Sequence, residues 1–247
     1  MHIDLKDKII VVTGASRGIG AKLAKKMAEE RAIVIMNYFS SENEAFAVYN
    51  EVKQKSPKSM LIKADISKPQ DVKSFYTQVI NQYNRIDVLI NNAAICEDKL
   101  INFITYSEWN NIINTNLTSI YLCTKYFSKS MISNKSGRII NISSLQGQKG
   151  NRGQSAYTAS KAGVIGLTKT LAIEMGVFNI AVNAICPGYI PTNEKRRSKE
   201  KIEIAQKKSV LPIGESMNDL INFVIYLSSD KCKSVSGQVF NLDSRVL

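Results

Sequence analysis

Tyr157 and Lys161 stand four residues apart in Tyr157-Thr158-Ala159-Ser160-Lys161. Residues at that spacing share one face of a helix, so a phenol and an ammonium point the same way. An unperturbed tyrosine titrates near pH ~10, too high for easy proton exchange at neutral pH. A lysine cation beside it stabilises the phenolate and should lower that value. Ser144 closes a strand-like run thirteen residues before Tyr157. In a parallel sheet that strand end falls beside the start of the Tyr157 helix, where a hydroxyl can steady an oxygen gaining negative charge. Strand alternation turns its neighbour, Ser143, to the other face. Asn116, in Asn114-Thr115-Asn116-Leu117, lies in the preceding long helical stretch.

A second constellation opens the chain. Thr13-Gly14-Ala15-Ser16-Arg17-Gly18-Ile19-Gly20 follows an apolar run and leads into a helix-period segment. Glycines let the backbone turn sharply and come close to a ligand. A helix start then offers free N–H groups to a pyrophosphate. The spacing G-x-x-x-G-x-G is neither the G-x-G-x-x-G fingerprint nor a P-loop, which ends in Gly-Lys-Ser/Thr.

Elements that could position these groups alternate along the whole chain. Strand-like runs are read at Lys8–Thr13, Ala32–Tyr38, Ser59–Asp65, Ile86–Ala94, Gly137–Ser144 and Ile180–Gly188, with a short last one at Gly237–Leu242. Helical segments are read at Gly18–Glu30, Ser41–Lys55, from Pro69, Tyr106–Ser133, Ser155–Met175 and Met217–Leu227. Continuous Val/Ile runs separated by helices describe strands buried on both faces, hence a parallel sheet covered on both sides. Right-handed crossovers make it doubly wound. The expectation is α/β: one Rossmann-type domain with about seven strands. Residues 1–95 would form mainly the dinucleotide-binding half and 96–247 the catalytic and substrate half. A basic lid at about 190–210 holds Lys195, Arg196, Arg197, Lys199, Lys201, Lys207 and Lys208.

Composition removes whole classes of chemistry. His2 is the only histidine, so a Ser-His-Asp triad, a Cys-His pair and a multi-histidine zinc site are excluded, and no metal is expected. Cys96, Cys123, Cys186 and Cys232 form no C-x-x-C pair and read as free thiols of a reducing compartment. No apolar run reaches membrane-spanning length. Met1–Lys8 carries Asp4 and Asp7 and lacks the features of a secretory leader, so a cytoplasmic protein is expected. The formal charge of +12 favours anionic partners. The basic cluster has no interleaved aromatic residues and no nucleic-acid motif, so nucleic-acid binding, like a non-enzymatic redox-sensing role, ranks well below an enzyme.

The glycine loop resembles the T-G-x-x-x-G-x-G motif of the short-chain dehydrogenase/reductase family, and the likeness recurs in order along the chain. Asn91-Asn92-Ala93-Ala94 resembles the family's N-N-A-G, with Ala94 in place of glycine. The resemblance implies an Asn-Ser-Tyr-Lys tetrad of Asn116, Ser144, Tyr157 and Lys161. Tyr157 would give the proton to a carbonyl oxygen. Lys161 would tune it and bind the nicotinamide ribose, Ser144 would polarise the carbonyl, and Asn116 would anchor a relay water. The implied cofactor contacts are Gly14, Ser16, Arg17, Gly18, Ile19 and Gly20 in the loop, Asn37 towards the end of the second strand, and Asp65 and Ile66 near the adenine. Asn92, Ala93, Tyr157, Lys161, Pro187, Gly188 and Ile190 complete the set. Asn37-Tyr38-Phe39-Ser40-Ser41 has no acid to hold the ribose hydroxyls, and Arg17 lies nearby, so NADP(H) is expected ahead of NAD(H).

Gly150-Asn151-Arg152-Gly153-Gln154-Ser155-Ala156-Tyr157 and Glu108-Trp109-Asn110 resemble the 3-oxoacyl-[acyl-carrier-protein] reductases within that family. The resemblance implies reduction of a 3-oxoacyl thioester on an acyl carrier protein or CoA. It also implies a homotetramer packed through the helices carrying Asn116 and Tyr157. Lys135 and Arg138 are expected near a carrier-docking edge. Phe178 stands where docking members commonly have a basic residue, and Asn241-Leu242-Asp243-Ser244-Arg245 lacks the usual Gly-Gly. A specialised ketoreductase or a sugar, polyol or alcohol dehydrogenase is the alternative.

Overall fold

The computed structural model describes residues 3–190 and 199–245. Among them seven strands form one wholly parallel sheet in the order β3-β2-β1-β4-β5-β6-β7. The strands are β1 Ile9–Val12, β2 Ile33–Tyr38, β3 Met60–Lys63, β4 Val88–Asn91, β5 Gly137–Ile142, β6 Ile180–Pro187 and β7 Val239–Leu242. The single-domain, doubly wound expectation holds. Order reverses between β1 and β4, and open α/β sheets bind ligands at the strand carboxyl ends beside such a reversal.

Alternation along each strand divides the core between the faces. Ile10, Val12, Val34, Met36 and Ile140 pack with Leu23 and Met27 of α1 (Gly18–Glu29) and with Leu220 and Val224 of α9 (Ser216–Ser228). Ile9, Val11, Ile35, Leu89 and Ile139 face the opposite layer. There Phe75 of α3 (Pro69–Tyr83) meets Phe127 of α5 (Ser119–Asn134) edge to face at 5.0 Å, and Leu171 of α7 (Ser155–Gly176) joins them. The remaining helices are α2 (Glu42–Lys55), α4 (Tyr106–Ile113), α6 (Gln146–Lys149) and α8 (Lys199–Lys208).

Three sequence expectations need correction. Strands read as far as Ala94 and Ser144 stop at Asn91 and Ile142, because the chain leaves the ladder there to form the site loops. Ser143 and Ser144 therefore lie beyond β5, and strand alternation does not separate them. The single helix read over Tyr106–Ser133 is two helices joined by a π turn, Asn114–Thr118. Lys135 and Arg138 sit at the amino end of β5, so about 20 Å of strand separates Arg138 from Ser144. Phe178 is half-buried against the α5–α7 side of the core.

The lid expected at about 190–210 is covered in part. Lys195, Arg196 and Arg197 lie outside the described residues, and α8 begins at Lys199. No described helix is long and apolar enough to cross a membrane.

Candidate active site

The loop after β1 is shaped by contacts that exclude side chains. Gly14 has φ +64°, and a Cβ there would sit 2.7 Å from Ala93 Cα. A Cβ on Gly20 would run into the Gly14 carbonyl oxygen. Gly20 is therefore where α1 seats on its own entry loop. Thr13 and Asn92 clamp the loop. Thr13 Oγ1 accepts from the backbone N–H groups of Asn92 (3.0 Å) and Ala93 (3.1 Å). Asn92 Nδ2 donates to the Thr13 and Gly14 carbonyls at 2.9 and 3.1 Å. Arg17, exposed, occupies the N-cap of α1 without a side-chain capping bond, and the first turn holds no acid. The helix start thus presents N–H groups and a positive dipole end to an anion. This cradle fits a dinucleotide pyrophosphate.

Other expected cofactor residues turn out to brace the site. Asn37 is 2% exposed; its Nδ2 donates to Ala64 O (3.0 Å) and its Oδ1 accepts from Gly14 N (3.4 Å). It holds the glycine loop against β2 and β3. Asp65 Oδ1 accepts from the Ser67 amide (3.0 Å) and hydroxyl (2.6 Å), capping the turn into α3. Ile66 and Ile190 are buried, while Ser16 and Ile19 are half-buried in the loop. The Pro187 carbonyl accepts from Leu145 N at 3.2 Å, and Gly188 N donates to Leu242 O at 3.0 Å.

Around Tyr157 the parts converge. Lys161 is 2% exposed, and its Nζ lies 5.8 Å from the Tyr157 ring centroid. Nζ donates to Ile142 O at 2.7 Å, tying the lysine to the end of β5. Ser143 Oγ donates to Lys161 O at 2.8 Å from the same strand end. Burial pulls the Lys161 ammonium down from its ordinary 10.5 to about 8; charge on the thiols of Cys186 and Cys96 opposes that shift. Burial in turn raises the Cys186 thiol. Ser144 is half-buried, and its Oγ accepts from Gln146 N at 3.2 Å. Among the described residues its hydroxyl hydrogen meets no acceptor, which leaves it for a substrate oxygen.

Asn116 sits in the π turn, fully buried. A π turn widens the helix by one residue and redirects its side chains. Asn116 Oδ1 accepts from Ile95 N and its Nδ2 donates to Ile95 O, both at 2.8 Å, and Nδ2 also reaches Ser160 Oγ at 3.1 Å. Ser160 Oγ donates to Tyr157 O at 2.6 Å. The carboxamide therefore links the loop after β4 to the first turn of α7. Both its hydrogens are committed there. Ser160 and Thr13 were not singled out from sequence, although each stands inside a recognised motif.

The loop before α4 is pinned to α7. Thr105 and Glu108 form a capping box, and Lys99 Nζ meets Glu108 at 2.7 Å. Lys99, together with the Thr105 amide and hydroxyl, holds the Glu108 carboxyl at about 2. Lys99 N donates to Gly153 O at 2.7 Å, bringing this loop beside the approach to Tyr157.

A glycine cradle at the β1–α1 turn and a tyrosine–buried-lysine pair at the β5–α7 junction define an oxidoreductase that uses a nicotinamide dinucleotide. The chain belongs to the short chain dehydrogenase family, whose model matches residues 8–203. It is 39% identical over 239 residues to a 3-oxoacyl-[acyl-carrier-protein] reductase FabG of Staphylococcus epidermidis, covering 96% of this chain and 98% of that one. A 3-oxoacyl-[acyl-carrier-protein] reductase of Synechocystis is 36% identical, with 97% and 96% covered. A crystal structure described as that of a short-chain alcohol dehydrogenase from Sinorhizobium meliloti 1021 superimposes with a TM-score of 0.91 at 27% identity, covering 98% of this chain and 96% of that one.

Proposed function

We propose that this protein reduces a 3-oxoacyl thioester to the 3-hydroxyacyl thioester at the expense of NADPH. The observation that carries the chemistry is the buried Lys161 ammonium 5.8 Å from the Tyr157 ring. The relatives at 36–39% identity across nearly the whole chain carry the substrate class. When bound, the reduced nicotinamide supplies a hydride to the carbonyl carbon. Tyr157 Oη gives its proton to the carbonyl oxygen, and Lys161 neutralises the phenolate left behind. The Ser144 hydroxyl hydrogen-bonds the same oxygen as negative charge builds on it. Gly14, Gly18 and the α1 N-terminus hold the pyrophosphate. Pro187, Gly188 and Ile190 border the nicotinamide end.

The NADP(H) reading is supported by the β2 end, where Asn37 to Ser41 offers no carboxylate, and by the exposed Arg17 guanidinium, which meets no described acid. A homotetramer through α5 and α7 is supported by large apolar side chains exposed there, Tyr121 on α5, Ile173 on α7 and Val177 just past the end of α7. Four cysteines that form no disulfide among the described residues suit a cytoplasmic location. A simple alcohol or polyol substrate is the second reading, favoured by the likeness to the Sinorhizobium structure.

Steady-state turnover of NADPH tests this, with 3-oxobutyryl thioesters of acyl carrier protein, CoA and N-acetylcysteamine run beside free ketones and, in the oxidative direction, polyols. The highest kcat/KM is expected with a thioester. A polyol or simple ketone exceeding every thioester would overturn the substrate class.

A further inference from the structure

Three segments meet beside Gly188 at the carboxyl end of the sheet. The first is α6, which begins two residues after Ser144. Gln148 and Asn241 exchange amide hydrogen bonds of 2.7 and 3.1 Å, joining α6 to β7. The second is the end of α8, where Ser209 and Arg245 form an antiparallel bridge and Val210 N donates to Ser244 O at 3.0 Å. The third is the tail after β7. Asp243 packs so closely on Gly188 that a Cβ there would strike its carboxylate. Asp243 also pairs with Arg245 at 2.7 Å, and both side chains are nearly buried.

That pairing consumes the junction's acid. Lys149, next to Gln148, and Lys208, next to Ser209, are both exposed and meet no carboxylate among the described residues. Lys149 is lowered by partial burial and by the charges of Arg245 and Lys208, with only Asp243 acting in the opposite sense. Mutual repulsion without a counter-ion is relieved by an arriving anion. Lys149 belongs to the segment joining Ser144 to Tyr157, so an anion held there would lie on the rim of the carbonyl site.

We propose that Lys149 and Lys208 receive an oxyanion carried by the substrate away from its carbonyl, a phosphate ester or a carboxylate, and thereby select acidic substrates. This rests on the ketoreductase reading. The phosphate ester would belong to the pantetheine arm that carries the thioester; the carboxylate would belong to the acyl chain itself.

Three thioesters separate these sources: 3-oxobutyryl-N-acetylcysteamine (neutral), 3-oxobutyryl-phosphopantetheine, and an N-acetylcysteamine thioester whose 3-oxoacyl chain ends in a carboxylate. Wild type and the Lys149→Gln, Lys208→Gln and double variants are compared at low ionic strength. The kcat/KM ratio of one anionic substrate to the neutral one is expected to exceed one in the wild type. It should fall by about threefold to fivefold per lysine, the range of a partly exposed ion pair. Added salt should erase the same preference. Whichever anionic substrate shows the fall identifies the source. Equal ratios in wild type and double variant for both anionic substrates, with the neutral thioester turned over, overturn the anion site and leave the ketoreductase reading standing. If no thioester is turned over, that reading falls, and the ratio for a free keto acid against its ester decides the role of the lysines.

Discussion

Replacing Lys161 with methionine tests how much of the chemistry resides in one buried charge. Methionine keeps the unbranched shape and removes the ammonium. Nζ lies 5.8 Å from the Tyr157 ring centroid. At that separation, with an effective dielectric near 20, a cation and a phenolate attract by about 3 kcal/mol. If the whole attraction is felt in the transition state, its loss slows proton transfer by ~100-fold. Stability should move the other way. Lys161 is charged at pH 7 in both states, yet its folded value is about 8 against an ordinary 10.5, so charging it inside the protein costs about 3 kcal/mol. Methionine removes that cost but orphans the Ile142 carbonyl, a penalty of about 1–3 kcal/mol. The variant should therefore melt at or above the wild-type temperature at pH 7. The sign reverses on alkaline titration: the wild type gains stability between about pH 8 and 10.5 as the folded lysine gives up its proton first, and the variant does not. Single-turnover kinetics with saturating NADPH, beside thermal melts at pH 7 and 10, provide both readouts. A rate within threefold of wild type, or a melt far below it, would refute the electrostatic account.

Reduction by the wild type should show a falling kcat/KM limb with an apparent pKa near 8, because deprotonation of Lys161 leaves the phenolate unsupported; the limb belongs to the Tyr157–Lys161 pair and is read from a pH–rate profile. Gly14→Ala must place a Cβ 2.7 Å from Ala93 Cα at a φ of +64°, so NADPH binding by calorimetry should weaken by about tenfold or more, with a lower melting temperature. Arg17→Ala should cut kcat/KM for NADPH by roughly tenfold and leave NADH within twofold, which steady-state rates with both cofactors will check.

The architecture was legible because its cause is local. Val/Ile runs such as Ile9–Val12 and Ile33–Tyr38 can only be strands buried on both faces, and the helices between them force parallel pairing. The i, i+4 relation of Tyr157 and Lys161 also follows from helix geometry alone. Contacts between distant segments were not legible. Nothing in Asn114-Thr115-Asn116-Leu117-Thr118 announces a π turn; it accompanies the bonds of Asn116 to Ile95 and Ser160, residues far apart in the chain. That the Asn37 carboxamide, inside β2, bonds Ala64 and Gly14 was likewise not readable, because its partners come from other segments. That Arg138 lies at the opposite end of β5 from Ser144 follows from the direction of the strand, which the sequence pattern alone does not place in the sheet. The junction of Asp243, Arg245, Lys149 and Lys208 depends on three segments that only the folded chain brings together.

The most direct trial is Tyr157→Phe, which deletes one oxygen and keeps the ring. Turnover of a 3-oxoacyl thioester should fall by about 10²–10⁴-fold, the contribution of a positioned general acid, with NADPH affinity by fluorescence titration within threefold of wild type. A variant that binds the dinucleotide normally and still reduces the thioester at a tenth of the wild-type rate or faster would contradict the assignment of proton transfer to this phenol.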